Sequence, residues 1–334
     1  NFPWERIKTG NDHRLGANEA PPAILSIFIG DELSEILKCL EEGKPYSQKH
    51  KKILKVGVHT LPRFPKDATD RNRTSPFAFT GNKFEFRMLG SALSISGPNI
   101  VLNTIVAEEL KGFADQLEKS SDFKKDLDAL VKKTIKEHKR IIFNGDGYTE
   151  KWVKEAKKRG LLNLPTTVDA MPHFLDKKNV DLFTKHHIFT ETEMRSRYEI
   201  AMENYSKTVN IEALTMIDMI NKQILPAVEK YMDDLSLAFM HKKGLNPNMN
   251  CHVEYERVTE LSGLSAKVYD EAAALKDAVS QASSAKDFEE NAKAYNELVL
   301  PAMGTLRADA DQMETLTGVS YWPFPNYADL IYHV

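Results

Sequence analysis

Two hydrophobic patterns divide the chain, and they predict different kinds of secondary structure. Up to about residue 110 the apolar runs are short and are interrupted by glycine, proline and asparagine, which is typical of strands and loops. Farther along, apolar residues recur every three or four positions over long stretches, the spacing of amphipathic helices. The pattern predicts a predominantly helical α+β protein, with a sheet-containing part at residues 1–110 and a helical domain at residues 111–334.

Three long helices are predicted in the second part, at about residues 190–244, 250–282 and 285–317. Pro226 and Pro301 interrupt the first and the third of them, and each proline lies in a Leu-Pro-Ala triplet. We interpret these two helices as partners in an antiparallel bundle, kinked at matching levels. The alternative is that a common tripeptide occurs twice by chance. The aromatic, proline-rich C-terminal segment is expected to pack on this chain or on a neighbouring one.

A short charged and aromatic segment, Asn-Lys-Phe-Glu-Phe-Arg, stands out in the first part. As a strand it places Lys83, Glu85 and Arg87 on one face, and we expect Phe84 and Phe86 to be buried on the other. A carboxylate between two cations suits an anionic ligand bound together with a divalent metal, because carboxylate oxygens bind Mg²⁺ or Mn²⁺ and arginine binds phosphate or carboxylate. The alternative is a solvated strand face whose charges pair with each other.

A second polar segment, Gly-Asn-Asp-His-Arg-Leu-Gly-Ala-Asn-Glu, begins at residue 10 and is followed by two prolines. This composition is typical of a structured loop, and loops often carry binding and catalytic groups. Arg14 and Glu19 are its chemically useful side chains, whereas a single histidine such as His13 is more often structural. The alternative is an exposed loop without a function of its own.

Composition narrows the class of protein. The chain has 48 acidic residues against 45 lysines and arginines, and the formal net charge of −3 does not favour a nucleic-acid or membrane-surface protein. Cys39 and Cys251 are far apart, so no disulfide framework is indicated and the reducing cytoplasm is the expected compartment. No apolar run approaches the roughly 18 residues of a membrane span. The chain opens at Asn1 with sequence typical of the middle of a protein, and we interpret it as a piece of a longer subunit.

These motifs resemble glutamine synthetase, specifically its large type III class. The similar stretches are GNDHRLGANEAPPAI (10–24), FPKDATDRNRTSPFAFTGNKFEFR (64–87) and SALSISGPNIVLNTIVAEEL (91–110). The long helical remainder and the aromatic C-terminus also resemble the type III extension. The resemblance implies that residues 1–110 are the C-terminal part of a catalytic sheet domain and that residues 111–334 form a helical bundle extension.

The resemblance also implies an activity. In this family, ATP phosphorylates the γ-carboxylate of L-glutamate, and ammonia then displaces phosphate to give glutamine. The chain would therefore belong to an ATP-dependent glutamate–ammonia ligase with ATP and Mg²⁺ or Mn²⁺ as cofactors. L-glutamate and ammonium would be its substrates, and the subunits would form a homo-oligomeric ring, a dodecamer in the nearest analogy.

The resemblance implies catalytic roles for three residues. Arg14 would bind the glutamate carboxylate and later the phosphoryl group. Glu19 would close over the intermediate, exclude water and take a proton from ammonium. Arg73 would neutralise the phosphoryl group during its transfer and so contribute to ATP binding.

The resemblance also implies roles for the three charged residues of the strand. Lys83 would contact a nucleotide phosphate, Glu85 would be a ligand of the metal that bridges the ATP phosphates, and Arg87 would contact the substrate and the γ-phosphate. The sequence departs from the pattern of the other classes at Ala78, where they have an arginine, and Arg71 is the candidate replacement.

Most of the family's metal ligands and nucleotide pocket precede the Arg14 loop and are not in this sequence. One carboxylate cannot form a catalytic metal site, so we expect this chain alone to have no synthetase activity. Two alternatives stay open: another phosphotransferase that acts on a carboxylate, or a helical assembly or regulatory module without activity of its own.

Overall fold

The structure, a computed structural model, describes residues 24–46, 53–54, 64–65, 75–87 and 94–332. It divides into two compact units, Asn1–Tyr198 and Glu199–Val334. Helices predominate among the described residues and the strands are short, which confirms the predicted predominantly helical α+β class. No helix in these ranges combines the length and the apolar character needed to cross a bilayer.

The described elements of the first unit are short strands followed by helices. The strands are β1 (Ile27–Phe28), β2 (Ile53–Leu54), β3 (Phe64–Pro65), β4 (Phe77–Phe79) and β5 (Phe84–Phe86). The helices are α1 (Gly30–Glu42), α2 (Ser96–Leu117), α3 (Phe123–His138), α4 (Glu150–Lys158), α5 (Thr167–Ala170) and α6 (Lys177–Lys185), with 3₁₀ turns at Lys139–Ile141 and Met171–Leu175. Helix α7 (Glu191–Met219) begins in this unit.

The main sheet has the strand order β1–β4–β5, with β1 parallel to β4 and β4 antiparallel to β5. Strands β2 and β3 form a separate antiparallel pair. A bridge between Ile27 and Ile142 adds a parallel contact on the other side of β1, and Phe143 N–H donates to the Ile27 carbonyl at 2.9 Å. The sheet therefore pairs with residues that come after the predicted boundary near residue 110.

A small core ties this sheet to the helices of the first unit. Ile24, Trp152, Ala156 and Leu161 are buried together. The Phe143 ring stacks on the Trp152 indole, with 3.7 Å between ring centroids. These contacts join residues on both sides of residue 110, so the predicted boundary there does not coincide with the boundary between the two compact units. The division into a catalytic part and a helical domain stays a prediction about function.

Helix α7 begins at a reciprocal cap. Thr190 Oγ1 accepts from the Glu193 N–H at 3.2 Å, and Glu193 Oε2 accepts from the Thr190 N–H at 2.8 Å. This is a capping box, which satisfies two backbone donors that the first turn leaves open. The two hydrogen bonds from Thr190 hold the pKa of Glu193 below its ordinary value. The helix predicted to start near residue 190 is thus confirmed at this end.

The second unit is helical throughout its described elements. After α7 it contains α8 (Leu225–Leu245), α9 (His252–Ser283), α10 (Phe288–Ala294), α11 (Leu300–Leu316) and α12 (Tyr327–Tyr332). Helices α8 and α11 both pack on α9. The buried positions of α9 recur every three or four residues and form one apolar face: Leu261, Leu264, Val268, Ala272, Leu275, Val279 and Ala282.

Both Leu-Pro-Ala triplets follow a π turn, at Ile220–Ile224 and at Tyr295–Val299. In each turn the leucine N–H donates to the carbonyl five residues earlier, instead of four. The wider turn accommodates the following proline, whose ring would collide with the backbone of a regular helix and which has no N–H to donate. The predicted interruptions are confirmed, and they are π turns.

The two interruptions do not lie at matching levels, so that part of the prediction is wrong. The Tyr295 hydroxyl donates to Asn210 Oδ1 at 3.0 Å, and Asn296 Nδ2 donates to the Tyr205 hydroxyl at 2.9 Å. Asn210 precedes Ile220, the start of the other π turn, by about 15 Å along the helix. These two contacts place the second π turn beside a part of α7 that comes well before the first π turn, and α8 and α11 both pack on α9.

A polar cluster lies where α9 meets α11. Lys267 Nζ is 2.6 Å from Asp309 Oδ2 and 3.8 Å from Glu271 Oε1, and both carboxyl groups are largely buried. Burial raises the pKa of Glu271, and the neighbouring Asp309 adds to this effect while Lys267 opposes it. The hydrogen bond from Lys267 lowers the pKa of Asp309. One lysine thus lies beside two carboxyl groups, and Glu271 is the one whose ionisation is less favourable.

We predict that Glu271→Gln stabilises the protein relative to the wild type, and more so at pH 8 than at pH 5. A carboxyl group whose pKa is raised on folding contributes stability at low pH and loses it as the pH rises through the folded-state value, whereas glutamine does not titrate. Urea denaturation at both pH values measures the difference. Glu260→Gln, on the exposed face of the same helix, is the control. An equal gain at both pH values, or a loss at pH 8, would contradict the prediction.

Candidate functional site

The predicted charged segment forms the second strand of a tight hairpin. Strand β4 pairs with β5 so that Ala78 lies opposite Glu85. The Thr80 N–H donates to the Lys83 carbonyl at 2.9 Å, and Gly81 in the turn has φ of 100°. This backbone conformation is easily adopted only by glycine. The turn therefore fixes the register that decides which side chains of β5 share a face.

Lys83, Glu85 and Arg87 lie on one face of the hairpin. The Lys83 ammonium is 3.3 Å from Glu85 Oε1, and Arg87 Nη2 is 3.2 Å from Glu85 Oε2. Hydrogen bonds from Lys83 first and from Arg87 second hold the pKa of Glu85 below its ordinary value. Glu85 is consequently a carboxylate at neutral pH. Arg87 is the most buried of the three side chains, and Lys83 is the most exposed.

The opposite face of the hairpin is aromatic. The Phe84 ring stacks on Phe77 with 5.7 Å between centroids and lies 5.2 Å from Phe79, while Phe86 is 6.3 Å from Phe77. The expectation that both phenylalanines of β5 are buried is wrong for Phe84, which is 49% exposed, and Phe86 is only partly buried. The reason is that β5 is the edge strand of the described sheet, so these rings cover one another and little else covers them.

Position 78, where the sequence departs from the other classes, is completely buried. Ala78 has no exposed surface, lies opposite Glu85 and pairs with Phe28 on its other side. The side chain points to the same face as Glu85, because directly opposed residues of a ladder share a face. An arginine here would have to displace the atoms that cover the methyl group.

We predict that Ala78→Arg destabilises the protein by about 3 kcal/mol or more, because a long charged side chain would be forced into a filled position. Thermal and urea unfolding measure the loss. The control is Asn82→Arg, which introduces the same side chain at an exposed position of the hairpin turn and should change stability by only about 0.5 kcal/mol. Equal stability of the two variants would show that position 78 has room for the arginine.

The remaining predicted site residues lie outside the residues that the structure describes. They are Arg14, Glu19 and Arg73, together with Arg71, the candidate replacement for the arginine absent at position 78. The hairpin is therefore the described part of the predicted site, and the roles of the other residues stay predictions.

A metal at the hairpin would find one suitable ligand, the Glu85 carboxylate. Among the described residues, no group of three or more histidine, cysteine, aspartate or glutamate side chains could hold a metal ion. Mg²⁺ prefers an octahedral set of oxygen ligands. The described residues thus offer Glu85 as one metal ligand and do not by themselves complete a metal site.

Asn144 supports the sheet beneath the hairpin, and sequence reasoning missed it. Its Oδ1 accepts from the N–H groups of Ile29 and Gly30, both at 3.0 Å, and its Nδ2 donates to Ser34 Oγ at 2.7 Å. The side chain thereby caps the start of α1 directly after β1. The only sequence signal is the Asn-Gly-Asp-Gly break at residue 144, which indicates a loop but not the partner of its asparagine.

Comparison with known proteins finds a family similarity for the region around Asn144. Residues 126–243 match the glutamine synthetase C-terminal domain. The matched range includes the Ile142 bridge to β1, the Asn144 cap and most of α8, and the hairpin with Glu85 precedes it in the chain.

Three curated relatives match almost the whole chain. A glutamine synthetase of Butyrivibrio fibrisolvens is 41% identical over 325 residues, which make up 97% of this chain and 46% of that protein. The type-3 glutamine synthetase of Dictyostelium discoideum is 36% identical over 340 residues, covering 97% of this chain and 45% of that protein. A glutamine synthetase of Bacteroides fragilis (strain YCH46) is 34% identical over 338 residues, covering 98% and 46%.

These matches confirm the resemblance to glutamine synthetase and to its type III class. The chain spans about half the length of the curated relatives it matches.

We predict that Asn144→Ala destabilises the protein by about 1 kcal/mol, the usual cost of removing a cap at a helix N-terminus. Chemical denaturation measures the loss. Asn144→Asp keeps the oxygen that accepts both N–H groups and loses only the Nδ2 donor, so its loss should be smaller. If the alanine and aspartate variants were equally stable, the cap to α1 would not contribute as inferred.

Proposed function

We propose that this chain works as part of a glutamine synthetase, an enzyme that ligates ammonia to L-glutamate through a γ-glutamyl phosphate at the expense of ATP. The observation that carries the proposal is the similarity, over 97% of the chain, to proteins named glutamine synthetase. The Lys83–Glu85–Arg87 face supports it, because its charges suit a phosphate and a metal. The same charges pair with one another, as they also would on a solvated strand face, and we favour the ligand-binding interpretation because of the similarity to glutamine synthetases.

In this proposal the hairpin binds the charged parts of the substrates. Glu85 would hold a divalent metal, Mg²⁺ or Mn²⁺, and Arg87 would release one carboxylate oxygen as it turns to the γ-phosphate or to glutamate. Lys83 is exposed enough to move from Glu85 to a nucleotide phosphate. The metal, when bound, supplies positive charge that offsets the charge developing on the transferred phosphoryl group.

The loop residues would complete the chemistry. Arg14 would bind the glutamate carboxylate, and Arg73 would stabilise the phosphoryl group in transfer. Glu19 would exclude water from the acyl phosphate and accept a proton from ammonium, which converts it to the nucleophile ammonia.

A homo-oligomeric ring of the family's type, a dodecamer, and a location in the cytoplasm are part of the same proposal. Cys39 and Cys251 are both free thiols in the described chain, in keeping with a reducing compartment.

An assembly role for the helical part is the second candidate function. The unit from Glu199 onward has its own buried core and its own set of helices, and it lies apart in sequence from the charged hairpin. Both functions can belong to one chain, with the first unit contributing to the active site and the second to assembly. The carboxylate phosphotransferase alternative differs in requiring no ammonium.

We predict that, in the full-length protein, Glu85→Gln lowers kcat for glutamate- and ammonium-dependent phosphate release by at least about 100-fold, because the amide cannot bind a divalent metal as a carboxylate does. The control is Glu109→Gln, at an exposed glutamate of α2, which should retain activity. Phosphate release that needs glutamate but not ammonium would favour the phosphotransferase alternative. Full activity of Glu85→Gln would refute the metal role of this residue.

We further predict that the 334-residue chain alone has no synthetase activity, since it supplies one of the metal ligands expected of the family. The measurement is glutamine formation with ATP, Mg²⁺ or Mn²⁺, glutamate and ammonium. The full-length protein prepared in the same way is the positive control. Turnover by the shorter chain would show that its residues complete the site.

A further inference from the structure

A cleft lies between the C-terminal ends of α1 and α3. Its volume is about 560 Å³, and the residues that line it are Glu41, Lys132, Lys133, Lys136 and Glu137. Helices α1 and α3 pack on each other within the first compact unit, and both lie outside the charged hairpin. We call this space the α1–α3 cleft. Its volume falls within the range of small-molecule binding sites.

The end of α1 is fixed beside this cleft. The Gly43 N–H donates to the Leu40 carbonyl at 3.3 Å. The Lys44 N–H donates to the Cys39 carbonyl at 2.9 Å, and Gly43 has φ of 66°, so the helix ends in a Schellman motif. Lys132 Nζ reaches this turn, since the position that a Cβ of Gly43 would take is 3.4 Å away from it. Because backbone donors already serve two carbonyls at this end, the Lys132 ammonium is not needed for them.

The α1–α3 cleft carries an excess of positive charge. Glu41 is already neutralised, because its Oε1 lies 2.7 Å from Lys139 Nζ. The three lysines of the cleft form no ion pair with any carboxylate among the described residues. They share the cleft with one further carboxylate, Glu137. Two positive charges are therefore left for a ligand, and a cleft lined mainly by one sign of charge attracts the opposite sign.

The three lysines lie on neighbouring turns of α3. Lys132 and Lys136 are four residues apart, and Lys133 precedes Lys136 by three. Side chains at these spacings are neighbours, and like charges four residues apart destabilise a helix. The preference of the last helical turn for cations accounts for Lys136, whereas Lys132 and Lys133 precede that turn. A bound anion would offset the repulsion between them, so their spacing favours an anion held by more than one lysine.

We propose that the α1–α3 cleft binds a small soluble molecule through a phosphomonoester group. Such a group carries a charge of about −1.5 to −2 at pH 7, which matches the two positive charges in excess. Lysine binds phosphate as a point charge, whereas the planar fork of arginine suits a carboxylate, and the five described lining residues include no arginine. The remaining volume would hold the rest of the molecule. This inference does not depend on the proposed synthetase activity.

The first test measures the binding of methyl phosphate to the full-length protein by isothermal titration calorimetry at low salt. Lys132→Gln combined with Lys136→Gln should weaken a saturable site by at least about tenfold, because two charge-assisted hydrogen bonds are lost. Arginine at both positions keeps the charge and should retain binding. The matched control is Lys124→Gln combined with Lys125→Gln, at exposed lysines in the first turn of the same helix, which should leave the affinity unchanged.

Circular dichroism checks that all these variants are folded. Equal effects of the two glutamine pairs would overturn the proposal, because the affinity would then come from the general charge of α3. The absence of saturable binding to the wild-type protein at millimolar methyl phosphate would overturn it as well.

The second test locates the bound phosphate. Lysines are acetylated with an activated ester, and the extent is read residue by residue by peptide mass spectrometry. With methyl phosphate at twice its measured Kd, acetylation of Lys132 and Lys136 should slow by about threefold, because two-thirds of the sites are occupied. Lys124 should react at an unchanged rate. Protection of Lys83 without protection of the cleft would place the phosphate at the hairpin and overturn the proposal.

The third test addresses the chemistry of the ligand. Dimethyl phosphate has one negative charge and should bind at least about tenfold more weakly than methyl phosphate. Succinate has two negative charges spread over a chain and should also bind more weakly. Equal affinity for succinate would overturn the assignment to phosphate. Binding to phosphatidate-containing vesicles that methyl phosphate does not displace would assign the cleft to a lipid surface and would likewise overturn the proposal.

Discussion

The backbone pairing of β1 is the constraint on which the described site depends. This two-residue strand lies between β4 on one side and the Ile142 segment on the other, so its position is set by chain from both sides of residue 110. Asn144 then closes the start of α1 just after β1. Since β4 holds β5 in register, the place of Glu85 follows from pairings that begin more than fifty residues away in both directions along the chain.

The hairpin shows how one short strand serves two chemical purposes. Alternation places phenylalanines on one side and charges on the other, and the register set by the Gly81 turn brings Ala78 opposite Glu85. The small buried alanine leaves Lys83 and Arg87 as the cations that neutralise this carboxylate. A carboxylate held by two cations of different exposure can exchange the more exposed one for a bound ligand without losing the other, which is useful in a site that binds phosphate and metal.

The helical unit illustrates a different constraint, the accommodation of proline in long helices. Each Leu-Pro-Ala triplet would lose a backbone hydrogen bond in a regular helix, and each is preceded by a π turn that rearranges the bonding over one turn. The helices can then run on as packed elements against α9. The hydrogen bond from the Tyr295 hydroxyl to Asn210 shows the offset between the two π turns, and Lys267 of α9 compensates Glu271 and Asp309.

Local sequence determined much of this protein. Periodicity alone predicted the three long helices, which the structure places at 191–245 and 288–316, each interrupted by one π turn, and at 252–283. The start of the first long helix near residue 190 was predictable because the capping of a helix depends on neighbouring residues. The face shared by Lys83, Glu85 and Arg87 followed from a period of two. Local pattern also carried the family resemblance, since its motifs are contiguous.

Only the tertiary structure decided the features that depend on distant partners. The exposure of Phe84 is set by the position of β5 at the edge of the described sheet, and the role of Asn144 by a helix more than a hundred residues away. The offset of the two π turns shows only in contacts between distant residues, such as Tyr295 with Asn210, so a repeated tripeptide could not reveal it. Hydrophobic periodicity is a property of neighbouring residues, whereas register, burial and level are properties of contacts between elements far apart in the chain.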